Sequence, residues 1–474
     1  MQNLMDEIKN NEPELNKPKQ IDSLIIYGGP VYDGLGNVYD RGSVYIQNDK
    51  ISLVGEEEDV FNEMGEAMQN VEIIDTRGRL VTPGLINAHH HLHMAFATGL
   101  TPLGPVKTFG ERLENFIWPY EKALTTEAIQ LSTLLTLLES IKHGVTTIFG
   151  HHSSPSSISN SLNIVGSAFE RAGVRALLSY SITDKFGRDK FQEALNEMHR
   201  FTDEHRIEPL IKGVPGLHAN LTLSEQSLTD FAEVFSAEDG LHIHLGEAEA
   251  DLHYCQEEGY AGCVDRLDKF DLLSDKSILA HANHLSEKDL EILEEVQPAI
   301  IHNPGSNANS GAGWFDLNLC DKIESTGLGT DGSTSNILGD LNKAFLLHNL
   351  VGTKNKIITD NLVKMLFENN AGIAARHWGQ NIGSLEEGAK ADVAIFDYKP
   401  HTLIHRNNIN KHLVQGMQDS TADTVIVNGK IIYKDKAYLT IDKEIVKKEA
   451  SDICQSIWEN YVDQAGTANS SPTA

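Results

Sequence analysis

The chain is poor in cysteine: Cys255, Cys263, Cys320 and Cys454 are the only four in 474 residues, and no CxxC pair occurs. That excludes a disulfide-dense scaffold and suits a reducing cytoplasm with mostly buried, inert thiols. Long apolar runs are missing too. No stretch of about 18 apolar residues appears, so no membrane span is expected. The opening residues MQNLMDEIKNNEPELNKPKQ are polar and acidic and lack the apolar core of an export signal. Positive charge is scarce, with 39 Lys and Arg against 68 Asp and Glu, a formal net charge of −29. Phosphate would be repelled, which argues against nucleic acid or an anionic membrane as a general partner. The same charge serves solubility. A preference for neutral or cationic substrates is its sharper reading.

What is present divides into two textures. Residues 1–20 read as an N-terminal extension. From 21 to 83, SLIIYGGPVYDG, GSVYIQNDKISLVG and VEIIDTRGRLVTPG alternate apolar and polar residues between Gly, Asp and Asn turns, the pattern of short antiparallel strands. The stretch 373–440 repeats it in GSLEEGAKADVAIFDYKP and ADTVIVNGKIIYKDK. One small β-sandwich built from both ends is the simplest joining. Between them, 84–372 alternates helical text such as TTEAIQLSTLLTLLESIKHG with short strands such as VTTIFG, LHIHLGE, SILAHA and AIIHNP. Strand–helix alternation of this kind predicts an α/β class with a parallel sheet, and about eight units would close a (β/α)8 TIM-like barrel. Residues 441–474 read as an exposed C-terminal helix and tail.

The chemistry-bearing residues follow the apolar runs. His89 and His91 in PGLINAHHHLH are two apart, and alternate residues of a strand point to the same side. A second HxH pair, His242 and His244, stands in HIHLGE. Its later member is the better ligand candidate, and Glu247 follows three residues on. His281 ends SILAH, and Asp331 precedes Gly332 in GLGTDG. Each alone has an ordinary reading: a surface histidine run, a solvated loop acid, a structural histidine, an Asp-Gly turn. Together they can hold one divalent ion and leave a position for water. His218 in GLHANLT is a candidate substrate contact. Trp118 in NFIWPYEK could stack on a flat ring or simply pack. Loops 100–120 and 183–192 are the expected carriers of specificity.

Taken together, GLHA, HIHLGE, LAH, HNPGSN, GTDG, NAGIAAR and GSLEEGAKADVAIFD resemble the amidohydrolase superfamily, in its aminohydrolase branch of chlorohydrolases and deaminases. HGVTTIFGHHSSP and the tail ending ENYV are most similar to the aminohydrolase group called SsnA. The resemblance implies His89, His91, His244 and Asp331 as ligands of one metal, Zn2+ before Fe2+. It further implies Glu247 as acid/base and His281 as polarising residue. Asp331 would also accept the proton of the attacking water. Lys212 is not marked as the modified lysine that binuclear relatives need. The expected reaction is deamination of a small C=N heterocycle, purine-, pterin- or pyrimidine-like. Hydrolysis of a cyclic amide or chlorinated ring is the alternative, and a metal-binding protein retaining the fold is the non-enzyme reading. The resemblance admits a homodimer. The H-x-E…P-C-x-x-C deaminase design is excluded, because no CxxC exists.

Overall fold

The computed structural model describes residues 22–351 and 358–468. The extension expected over 1–20 and the tail beyond 468 lie outside the described residues.

Alternation of apolar and polar residues gives β1 (Ser23–Tyr32), β2 (Val38–Gln47), β3 (Lys50–Glu56), β4 (Glu72–Asp75) and β5 (Leu80–Pro83). Asn48, with φ 55°, turns β2 back onto β3. Asparagine tolerates this left-handed conformation better than most residues.

Next come the strands of the middle region: β6 (Leu85–His90), β7 (Val145–His152), β8 (Arg175–Tyr180), β9 (Ile211–Gly213), β10 (Gly216–Ala219), β11 (His242–Leu245), β12 (Ile278–His281), β13 (Ala299–His302) and β14 (Thr326–Leu328). Helices such as Thr126–Lys142, Ser161–Ala172, Arg188–Glu204 and Glu287–Val296 separate them. The chain closes with β15 (Val393–Phe396), β16 (Ala422–Val427), β17 (Lys430–Lys434), β18 (Ala437–Tyr438) and the helix Lys443–Ala468.

Three sheets result. β18-β17-β16-β15-β5-β1-β2-β3 form one path, with β4 paired to β1, so both ends of the sequence supply this nine-stranded sheet. Val31, Val44, Val81, Val393 and Ile426 pack in its own core cluster. The other two sheets, β6-β7-β8-β9 and β10-β11-β12-β13-β14, are parallel throughout. Every residue of β6 and β7 is buried, as expected where helices cover a parallel sheet. Parallel bridges also form outside the named strands, between His90 and Asp331 and between Ile182 and Leu217. Asn370 ties β6 to β14, donating from Nδ2 to the carbonyls of Ile86 and Leu328 at 2.8 and 2.9 Å.

Lys443–Ala468 is docked rather than exposed. Val446, Ala450, Ile457 and Tyr461 recur at helical spacing and are buried. Tyr461 donates its hydroxyl proton to the carbonyl of Thr101 at 3.0 Å.

Candidate active site

Strand ends bring the predicted ligands together. His89 lies in β6, with His91 directly after it. His244 lies in β11, His281 ends β12, and Asp331 follows β14. One ligand atom each from His89, His91, His244 and Asp331 lies within 4.8 Å of all the others, and the same holds for Glu247, His281 and Asp331. The backbone turns sharply there: His281, Ala282 and Asp331 adopt φ of 77°, 52° and 53°. Non-glycine residues held in this region cost about 1–3 kcal/mol each, and such strain clusters at functional sites.

Hydrogen bonding assigns the imidazole tautomers. His91 Nδ1 donates to the carbonyl of His151, and His244 Nδ1 to that of His218, both at 2.8 Å. For His89 the proton is set through a relay. Ser179 Oγ donates its proton to the carbonyl of Gly150, which leaves the Ser179 hydroxyl oxygen to accept from His242 Nδ1 at 3.3 Å. His242 Nε2 then accepts from His89 Nδ1 at 2.8 Å. All three Nε2 atoms therefore present lone pairs, in the way protein partners orient metal-binding histidines. His91 Nε2 and His244 Nε2 stand only 3.0 Å apart. His89 Nε2 is buried with no hydrogen-bond partner. Asp331 Oδ1 is 2.8 Å from His91 Nε2 and 3.5 Å from His89 Nε2.

Electrostatics match that geometry. Burial drives His89 down to about 3 and His244 well below the usual histidine value, so both stay neutral. Burial also works against a charge on His91, yet the Asp331 carboxylate outweighs it and raises His91. Burial alone would raise Asp331, but the nearby imidazoles, His91 foremost and then His89 and His281, hold it well below the usual carboxylate range. Crowded lone pairs around a half-buried carboxylate call for a positive charge among them. Three imidazoles and one carboxylate are a donor set that suits a divalent transition metal.

A family profile described as the amidohydrolase family matches residues 80–432. The chain belongs to the amidohydrolase family. Among curated relatives, the 5-methylthioadenosine/S-adenosylhomocysteine deaminase of Thermococcus sibiricus is 32% identical over 420 residues, covering 86% of this chain and 94% of that protein. The 5'-deoxyadenosine deaminase of Methanosarcina mazei is 30% identical over 426 residues, covering 88% and 94%. Among solved structures, an adenosine deaminase from Xanthomonas campestris with bound zinc superposes with a TM-score of 0.78 at 20% identity, covering 95% of this chain and all of that one. At these identities the structural likeness is one of fold.

In this amidohydrolase the second group of acids and bases adjoins the first. His281 Nδ1 donates to Asn307 Oδ1 at 2.8 Å, which leaves Nε2 unprotonated. That Nε2 faces Glu247 Oε2 at 3.7 Å and Asp331 Oδ2 at 4.0 Å. Burial raises the pKa of the Glu247 carboxyl. Ser306 Oγ donates to Asp331 Oδ2.

A cavity of about 500 Å³ opens over this group, lined by His91, His244, Glu247, Asp331 and His218 among others. His218 thus reaches the cavity. Its Nδ1 lies 3.0 Å from Thr222 Oγ1, and burial lowers it to about 4. Trp118 does not line the cavity. Its indole meets Phe186 edge-on at 6.5 Å, with Lys185 over the ring at 5.6 Å. The preceding turn explains this. Leu113–Ile117 is π-helical, and it is Phe109, Leu113, Phe116 and Ile117 that form the cavity wall. Loop 100–120 therefore contributes, whereas no residue of 183–192 does. Lys212 stands in a separate surface cleft with Arg206 and Lys276.

Some site residues escaped the sequence reading. Glu121, 5% exposed, lies 3.6 Å from His93 Nε2, and burial raises its carboxyl. Its setting, YEKALT, reads as an exposed helix. His151 and His152 end the apolar strand β7 in FGHHSS, and Ser306 follows β13 in IIHNPGS, and that position was the available signal.

Proposed function

We propose that this amidohydrolase deaminates a small C=N-containing heterocycle of the purine, pterin or pyrimidine type. The three outward Nε2 lone pairs facing Asp331, with Glu247 and His281 alongside, are the observation that carries the reading. The named curated relatives are deaminases of adenosine-type compounds, which supports an aminohydrolase acting on a purine-like ring. In the same reading the two parallel sheets form one eight-position (β/α)8 barrel. β9 and β10 count as a single strand broken at Pro215, whose missing N–H interrupts the ladder. The nine-stranded sheet forms the small β-sandwich domain. The site then lies at the C-terminal strand ends, where such barrels carry their chemistry.

His89, His91, His244 and Asp331 would hold one divalent ion, Zn2+ before Fe2+. When bound, such an ion supplies a water nucleophile at neutral pH, lowering the pKa of water from about 15.7 towards roughly 7. Asp331 Oδ2 accepts a proton from the attacking water while Ser306 keeps the carboxylate oriented. Glu247, whose carboxyl pKa burial raises, donates a proton to the ring nitrogen as the attacked carbon becomes tetrahedral. His281 Nε2, its lone pair free, accepts a hydrogen bond from the attacking water and so holds it in place. Glu247, now a carboxylate, takes the proton of the new hydroxyl as the C=O forms, Asp331 passes its proton to the departing amine, and the C–N bond breaks to release ammonia. Phe109 and Phe116 offer ring faces for stacking, the part first expected of Trp118. A small-molecule substrate, a cytoplasmic setting consistent with four free cysteines, and a homodimer complete the proposal.

Removal of chloride from a triazine-like ring is the second reading. An atrazine chlorohydrolase from Arthrobacter aurescens shares the fold, with a TM-score of 0.76 at 21% identity over 91% of this chain and all of that one. A half-buried Glu247 with a raised carboxyl pKa favours the reaction that needs ring protonation. Elemental analysis paired with ammonia release over a purine, pterin and pyrimidine panel, including 5-methylthioadenosine and 5'-deoxyadenosine, tests the proposal. Metal-loaded protein that frees chloride and no ammonia would turn the case to the second reading.

A further inference from the structure

Resting on the deaminase reading, we propose that Arg112 anchors an anionic substituent, a carboxylate, carried by the heterocyclic substrate. Arg112 lines the catalytic cavity. It also lines an adjoining cavity of about 640 Å³, and Phe109, Phe116 and Asn309 are shared between the two. The combined space exceeds what a bare ring needs, since pockets for whole drug-sized ligands span about 300–1,000 Å³.

In a chain of net charge −29, a cation at this junction stands out. The other cation in the catalytic wall, Lys343, is already paired to Asp340 at 2.6 Å. Among the described residues, no ion pair or side-chain hydrogen bond engages the Arg112 guanidinium, although it is only partly exposed.

Its backbone, by contrast, is tightly held. Thr108 and Glu111 form a capping box at the helix start, and Arg112 N donates to the carbonyl of Thr108 at 3.0 Å. The π-helical turn Leu113–Ile117 follows directly, a distortion frequent at functional sites. A rigidly mounted guanidinium with its donors unused fits the planar, two-point recognition of a carboxylate.

The test uses metal-loaded protein and compound pairs differing by a carboxylate: pterin with pterin-6-carboxylate, and adenosine with its 5'-carboxylate. Ammonia release gives kcat and KM, and calorimetry on the Glu247→Gln protein gives affinity without turnover. Wild-type protein should prefer the carboxylated member. Arg112→Gln should shrink that preference about 10- to 100-fold, mainly through KM, as loss of a hydrogen bond to a charged group implies. Arg112→Lys should retain part of it. Equal losses on both members of a pair would overturn the proposal. Absence of any preference in wild-type protein, in rate and in binding alike, would also overturn it. If the carboxylated compounds bind preferentially through Arg112 yet none releases ammonia, the anchor stands and the deaminase reading falls.

Discussion

His90 Nδ1 donates to the main-chain carbonyl of Asp331, joining the end of β6 to the turn after β14. The histidine run HHHLH thus has a division of labour: His89 and His91 face the ligand cluster, and His90 holds the backbone that presents Asp331. His90→Phe keeps the bulk and loses the bond. Metal affinity should fall by about 10- to 100-fold, as for other residues that orient a ligand. Chelator competition measures this; an unchanged affinity would separate His90 from the site.

Glu247→Gln keeps the shape and removes the transferable proton. The variant should hold metal as before and lose about 10²- to 10⁴-fold in kcat. The pH profile gives a second check. Burial raises the Glu247 pKa, and a proton donor acts below its pKa. Wild-type activity should therefore decline as pH rises through that raised value, and the decline assigned to Glu247 should vanish in the variant. A profile identical in both proteins would remove Glu247 from the proton path.

Stripping the metal should abolish turnover and lower Tm together. Ligand binding at about 100 times Kd stabilises a fold by roughly 2.7 kcal/mol, enough to see by differential scanning calorimetry. Zn2+ or Fe2+ should restore both properties. Activity that survives exhaustive chelation, with no metal left by elemental analysis, would refute the ligand set His89, His91, His244 and Asp331.

Arg175 of β8 pairs with Asp392, just before β15, and the two side chains are 1% and 0% exposed. Asp392 Oδ1 also accepts from Asn428 N at 2.7 Å. Asp392→Ala leaves a guanidinium buried without its counter-charge and should destabilise the protein by about 3–5 kcal/mol. Replacing both partners with apolar residues should recover much of that loss. Urea denaturation compares the three proteins, and a small effect in the single variant would show that water reaches Arg175.

Much of the ligand cluster was legible because each member directly follows a short apolar run, and a parallel strand delivers its last residue to one end of the sheet. The alternation of strand and helix text likewise foretold parallel sheets. What escaped has a common cause: it depends on side-chain direction, which linear spacing does not carry. Trp118 was picked for its ring, but the π-helical turn before it sends Leu113, Phe116 and Ile117 to the cavity instead. His242 looked like a rival ligand, whereas its Nε2 is engaged by His89. Glu121 sits in text that suits a solvated helix face, and only tertiary packing buries it. The helix after Lys443 was expected to be exposed; the stripe of Val446, Ala450, Ile457 and Tyr461 was readable and outweighed its many charges.

The nine-stranded sheet has a consequence for synthesis on the ribosome. β5 pairs with β15, and Arg79 meets Asp397 across a separation of 318 residues. The early strands emerge long before their neighbours exist, leaving open apolar edges on the nascent polypeptide while the central region is still being translated. Such unpaired edges invite self-association. Release of the last segment, rather than any early step, should therefore mark the moment when the newborn protein becomes safe from aggregation.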